Sequence, residues 1–175
     1  MIYCFGVVDI AAGHKTFEDN MFNIFISSSD VENMVSTIHH ELSHVIDNAL
    51  VLMQKDEENP VFSEEKWNEL NPYADMYLYS YHEDRNEYYK EYLYEIDFGI
   101  SDNYTNAYFV DSYALTYPTE DRARIFERLL GNEDKTIDYS KTPNLKKKLN
   151  YYAECIRATF DTTGWKNVPW EAYME

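Results

Sequence analysis

The chain has 175 residues, about the size of one domain. Hydrophobic residues make up 45% of it, and Gly and Pro contribute only five each, a composition that excludes disordered and fibrous proteins. The formal net charge of −17 opposes a phosphate backbone or an anionic membrane, so we expect no nucleic acid partner.

The start of the chain has the composition of β-strands. Residues 2–9 (IYCFGVVD) and 22–27 (FNIFIS) are rich in β-branched and aromatic side chains, and a third candidate strand covers 14–18. The sequence therefore predicts a small N-terminal sheet.

A long helix is predicted to follow this sheet. Ser29 and Glu32 have the spacing of a capping box, and the pattern continues to about residue 52. Apolar residues recur along it with a period of 3.6, which predicts one face packed on the core. That face comprises Val31, Met34, Val35, Ile38, Leu42, Val45, Ala49 and Leu52.

Further helices are predicted along the rest of the chain. They cover 63–70, about 82–95, a segment from Pro118 to the C-capping Gly131, and about 143–161. The basic run at 145–149 (LKKKL) is interpreted as a solvated face of the last helix. Strands followed by helices predict an α+β fold, with residues 1–175 as a single domain.

The first predicted helix carries a His-Glu-x-x-His pattern at His40, Glu41 and His44. The histidines are four residues apart on a side that we predict to face away from the core, so both imidazoles can reach one zinc ion. Glu41 projects to the flank, and Asp47 could accept the N–H of a ligand imidazole. The alternative is a solvated polar helix face with an accidental histidine pair.

A catalytic zinc site normally has three protein ligands, so a third must be found. The metzincin pattern would require Gly at position 47 and His at position 50, and this chain has Asp47 and Leu50 instead. The remaining candidates are carboxylates, namely Glu64, Glu65, Glu69, Glu120 and Asp121.

The segment DSYALTYPTEDRARIFERL, residues 111–129, resembles the third-ligand segment of gluzincin metallopeptidases. The resemblance is to the group of the anthrax lethal factor catalytic domain and the clostridial Pro-Pro endopeptidases. There, a Ser-Tyr pair lies seven residues before a glutamate that opens a Glu-x-x-Ala-Glu helix. Tyr113, Glu120 and Ala123 match, whereas Arg124 replaces the second glutamate, for which Glu127 one turn on could substitute.

This resemblance implies a zincin-like metallopeptidase fold, with the N-terminal sheet before an active-site helix and a mostly helical C-terminal part. It implies zinc bound by His40, His44 and Glu120. Glu41 would be the general base, and Tyr113 would donate to the transition state. The implied activity is that of a zinc-dependent endopeptidase, whose peptide or protein substrate we expect to lie extended along the sheet edge.

Two other functions remain open from the sequence. The chain could be a zinc-binding but inactive peptide-recognition domain, or a metal-free acidic domain that binds a basic partner. We expect a monomer with no membrane span, since no stretch approaches the ~20 apolar residues required.

Localisation is not determined by the sequence. The resemblance favours a secreted or cell-surface protein, and the chain itself carries no signal peptide. Its start on a strand-like run suggests that an export signal or upstream segment has been removed. Cys4 and Cys155 could be bridged or remain buried thiols, and we favour the thiols.

Overall fold

The computed structural model describes residues 13–18, 21–26, 33–72, 77, 107–130 and 141–164. In chain order these form strands β1 (Gly13–Glu18) and β2 (Met21–Ile26) and helices α1 (Met34–Gln54), α2 (Glu64–Asn68), α3 (Pro118–Leu130) and α4 (Pro143–Thr159). Several predictions concern residues outside these ranges. They are the strand at 2–9, the helix at 82–95, the Ser29–Glu32 capping box, the Gly131 cap and the state of Cys4.

The two strands form an antiparallel hairpin in which Gly13 pairs with Ile26 and Glu18 with Met21. Ile24 and Ile26 are two residues apart, so they point to the same face of the sheet. Both are buried in a small apolar cluster with Val45 of α1, and further apolar residues of α1 pack against it. One face of the long helix therefore packs on the hairpin, as the apolar period predicted.

The opposite side of α1 is also buried, and here the prediction is wrong. Glu41, Ser43 and Asp47 are buried, and Leu50 is inaccessible to solvent, whereas Val35 and Leu52 are 57% and 52% exposed. The reason is that α1 lies between the hairpin and the helices α3 and α4, with which it is in contact. Its polar side chains are therefore paired within the protein instead of being solvated.

The larger core lies among the four helices and the segment that precedes α3. It combines Leu50 of α1, Trp67 of α2, Ile125 of α3 and Tyr152 of α4, all of them at most 1% exposed. Burial of a large apolar side chain stabilises a protein by roughly 1.5–3 kcal/mol, so this cluster contributes strongly to the packing of the helices against each other. Among the described residues, no helix is both long enough and apolar enough to cross a membrane.

The basic run at the start of α4 is not uniformly solvated. Lys148 is fully buried, and its Nζ lies 2.6 Å from Oδ2 of Asp121, which is also fully buried. The same carboxylate oxygen accepts a hydrogen bond from the hydroxyl of Tyr77 at 2.7 Å. Desolvation raises the pKa of Asp121 and lowers that of Lys148. The interpretation of LKKKL as a solvated face is therefore wrong for Lys148.

Cys155 on the same helix is buried and unbridged. This agrees with the thiol that we favoured from the sequence.

Candidate metal centre

Two histidines of α1 and one glutamate of α3 converge at the interface of these helices. Nε2 of His40 lies 3.0 Å from Oε2 of Glu120, and Nε2 of His44 lies 3.5 Å from Oε1 of the same carboxylate. The two imidazole rings are edge to face, with centroids 4.9 Å apart. One ligand atom from each residue falls within 4.8 Å of the other two, the kind of arrangement that could hold a metal ion.

The donor set and its spacing fit zinc. Two ligand atoms that each lie 2.0–2.1 Å from a tetrahedral ion are separated by ~3.4 Å, close to both the 3.0 Å and the 3.5 Å contacts. Oε2 of Glu120 is buried and accepts no regular hydrogen bond, although an imidazole nitrogen is close to it. A carboxylate oxygen has two lone pairs, so Oε2 could bind a metal ion in place of its contact with the imidazole.

The other candidate third ligands lie elsewhere. Glu64 is half exposed and forms an ion pair with Arg122, and Asp121 is engaged by Lys148. Glu65 and Glu69 are exposed. Among the carboxylates that we considered from the sequence, Glu120 is thus the one that the structure brings to His40 and His44.

Electrostatics at this centre are dominated by the contact between imidazole and carboxylates. Burial lowers the pKa of His40, but the adjacent Glu120 and Glu127 outweigh this effect and raise it to about 9. Burial likewise raises the pKa of Glu120, but the contacts with His40 and His44 outweigh it and lower the pKa to about 2. Without metal, His40 and Glu120 therefore form an ion pair at neutral pH.

A carboxylate from α3 holds the far side of the His40 ring. Nδ1 of His40 lies 3.3 Å from Oε2 of Glu127, which also accepts a hydrogen bond from Arg124 at 2.5 Å. The contact leaves Nε2 of His40 directed at Glu120. Glu127 thus contacts the ring nitrogen of His40 that is turned away from Glu120, and its role as a substitute for the second glutamate stays a prediction.

Arg124 ties this support to the segment that carries Tyr113. Its guanidinium also binds Oδ2 of Asp111, through Nε at 2.7 Å. Oδ1 of Asp111 accepts the backbone N–H of Ala114 at 3.0 Å, and Thr116 donates its N–H and its hydroxyl to the carbonyl of Tyr113. Arg124 thus connects the turn around Tyr113 to the carboxylate that orients His40.

Tyr113 and Glu41 border the same centre. The ring of Tyr113 is 6.0 Å from that of His40, and the residue is 51% exposed. Burial of its hydroxyl, followed by the negative charges of Glu120 and Glu41, raises the pKa of Tyr113 to about 12. Glu41 is 6% exposed. The two candidate catalytic residues are therefore close enough to influence each other electrostatically.

Asp47 does not support a histidine, and this prediction is wrong. Its Oδ2 accepts a hydrogen bond from Nε of Arg122 at 2.8 Å, and its Oδ1 accepts one from the hydroxyl of Tyr152 at 2.9 Å. Both oxygens are thus occupied by residues of α3 and α4. The sequence offered no signal for Arg122 or Tyr152, because their partner lies 75 or more residues away along the chain.

Comparisons with known proteins identified no relative of this chain. No protein family, no curated protein and no solved structure matches the chain significantly.

Proposed function

We propose that the protein is a zinc-dependent endopeptidase. The observation that carries the proposal is the convergence of His40, His44 and Glu120. The histidines belong to α1, and Glu120 belongs to α3 and follows His44 by 76 residues. Two histidines one helical turn apart with a glutamate form a donor set that catalytic zinc sites use. The proposal also draws on the gluzincin resemblance and on the positions of Glu41 and Tyr113.

Zinc held by His40, His44 and Glu120 would act as a Lewis acid that polarises a carbonyl and would lower the pKa of water to ~7. Glu41 follows the first ligand directly in the sequence, and its carboxylate takes the proton of the attacking water and returns it to the leaving amine. Glu127 keeps Nε2 of His40 directed at the centre through its contact with Nδ1.

Tyr113 donates a hydrogen bond to the oxygen of the scissile carbonyl as that oxygen gains negative charge. With a pKa of about 12, its hydroxyl keeps its proton at neutral pH and can act as a donor. One such donor contributes on the order of 10²-fold or more in rate. Half exposed beside a partly buried centre, Tyr113 is accessible to an incoming peptide.

We propose further that the substrate binds as an extended strand beside the N-terminal hairpin. Backbone pairing with a free strand edge is a common mode of peptide recognition. The net charge of −17 favours neutral or basic peptides over acidic ones.

A second candidate function is a metal-free interaction domain with an acidic surface. It is favoured by the 3.0 Å contact of His40 with Glu120, because an imidazolium and a carboxylate at this distance can link α1 to α3 without any ion. Metal binding distinguishes the two functions directly.

The first experiment measures zinc per chain in untagged protein after reconstitution and removal of excess metal. We expect about one zinc per chain for the wild type, and its loss in His40→Ala and His44→Ala. His39→Ala is the matched control, because this neighbouring histidine lies outside the cluster and the variant should keep the metal. A wild-type protein that retains no zinc would refute the proposal.

The second experiment separates an active enzyme from a zinc-binding but inactive domain. Zinc-loaded protein is incubated with a peptide library, and new termini are identified by mass spectrometry. We expect internal cleavages that disappear when zinc is removed and return when it is restored. A fully loaded protein that cleaves no peptide in the library would favour the inactive domain.

A further inference from the structure

Next to the metal centre lies a polar cluster, buried except for Glu64 at its edge, that joins the described helices. We call it the polar clamp, and it consists of Ser43 and Asp47 of α1, Glu64 of α2, Arg122 of α3 and Tyr152 of α4. Its central pair is Asp47 and Arg122, which are 5% and 1% exposed. Tyr152 donates to Asp47 and lies 3.0 Å from the hydroxyl of Ser43, and Arg122 reaches Glu64 at 3.1 Å.

The central pair connects the two helices that carry the candidate ligands. Asp47 follows His44 by three residues, and Arg122 follows Glu120 by two. At a rise of ~1.5 Å per residue, each partner lies within ~5 Å of a ligand residue along its helix axis. The hydrogen bond of 2.8 Å between them therefore fixes α1 against α3 less than one helical turn from the metal centre.

The surroundings of Arg122 restrict this contact to one geometry. Its guanidinium carbon lies 5.1 Å from the ring centroid of Phe62 and 5.3 Å from that of Trp67. Because both partners are buried, water cannot replace either of them, and a displaced guanidinium would leave the carboxylate of Asp47 uncompensated. A shift of α3 along α1 is therefore opposed at this point.

We propose that Asp47 and Arg122 are a positioning pair for the metal centre. The pair sets the spacing and the register of α1 and α3, and thereby brings the imidazole of His44 and the carboxylate of Glu120 to one point. The inference rests on the proposed zinc site and adds residues that contact neither the metal nor a ligand side chain.

A second buried ion pair provides a matched control. Lys148 and Asp121 are fully buried like the central pair, but they join α3 to α4 and do not involve α1. Asp121 also keeps a tyrosine donor, Tyr77, as Asp47 keeps Tyr152. Arg122→Met and Lys148→Met therefore each remove one buried cation and leave behind a carboxylate with a tyrosine donor.

The experiment compares the zinc affinity of these two variants, measured by competition with a chelator on samples whose folding is verified by near-UV circular dichroism. Both substitutions are expected to lower the unfolding midpoint. Arg122→Met should raise the zinc dissociation constant by up to ~10-fold, less than the loss of a group that hydrogen-bonds a ligand directly, whereas Lys148→Met should stay near the wild-type value. The visible spectrum of the cobalt-substituted protein should change in Arg122→Met alone.

Asp47→Asn provides an independent variant, because the amide keeps the volume and the acceptor for Tyr152 while removing the charge that binds Arg122. It should weaken zinc binding in the same direction, and it replaces Arg122→Met if that variant does not fold. Equal zinc affinities in the Asp47→Asn, Arg122→Met and Lys148→Met proteins would overturn this inference and leave the zinc site intact. A wild type without zinc would instead refute the proposed function, and this inference with it.

Discussion

The ion pair between His40 and Glu120 makes zinc binding depend on pH in a way that the structure specifies. The pKa of His40 is raised to about 9 in the metal-free protein, because Glu120 and Glu127 flank the ring. A zinc ligand must be a neutral imidazole, so uptake of metal at pH 7 has to release this proton. The apparent dissociation constant should therefore fall as pH rises and become constant above the pKa of His40.

The magnitude follows from the two pKa units between pH 7 and about 9. Each unit corresponds to ~1.4 kcal/mol, so the proton costs about 2.7 kcal/mol of binding free energy at pH 7, a factor of ~100 in affinity. An ordinary histidine with a pKa of ~6.5 would already be mostly neutral at pH 7 and would cost less than a factor of ~2.

The assay is a zinc titration in chelator buffers at pH values from 7 to 9, with calorimetry in two buffers of different ionisation enthalpy to count protons. We expect release of about one proton per zinc at pH 7 and a tenfold gain in affinity for each pH unit. Glu127→Gln should flatten this slope, because it removes one of the two charges that raise the pKa of His40. An affinity that is constant between pH 7 and 9 would refute the reasoning.

Three further predictions concern catalysis and stability. Tyr113→Phe should lower kcat with little change in KM, because its hydroxyl acts mainly in the transition state, and steady-state kinetics that change KM alone would contradict this role. In the metal-free protein, the pKa of His40 is about 9 in the folded state and 6.5 in the unfolded state. The contribution of protonated His40 to the stability of the fold is therefore complete below about pH 6.5 and is lost as pH rises through about 9. Urea unfolding should detect this loss as about 3 kcal/mol, and His40→Gln should abolish that part of the pH dependence. Leu50→Ala should reduce the free energy of unfolding by ~2–5 kcal/mol, whereas Leu52→Ala on the exposed side should change it by less than ~0.5 kcal/mol. Similar losses of stability in the two variants would show that the buried side of α1 is misassigned.

Local signals in the sequence were enough to place the four described helices, although α1 begins at Met34 after the N-cap Asn33, later than the predicted capping box. The apolar period predicted a helix to about residue 52, and α1 ends at Gln54. Pro118 begins α3 as predicted, and α2 lies within the helix predicted at 63–70. The spacing of His40 and His44 likewise predicted that both imidazoles would lie on one side of α1.

Pairing between distant segments was what the sequence did not reveal. A single apolar stripe indicates one buried face, but α1 lies between two layers, so Leu50 is buried outside the stripe and Leu52 is exposed. Asp47 was assigned to a histidine because that partner is near in sequence, whereas its actual partner, Arg122, is 75 residues away. The position of Glu120 beside His40 and His44 was predictable only because Tyr113, Glu120 and Ala123 resemble a known motif. Separation along the chain favoured Glu64 or Glu65.

The most direct test of the endopeptidase proposal is a comparison of the wild type with Glu41→Gln, both loaded with zinc and incubated with the same peptide library. Glutamine keeps the shape of the side chain and should leave the metal content at about one zinc per chain, but it cannot accept the proton of the attacking water. We predict specific internal cleavage by the wild type and a rate at least ~10²-fold lower for the variant. Equal cleavage by the two zinc-loaded proteins, or no cleavage by the wild type, would contradict the proposal.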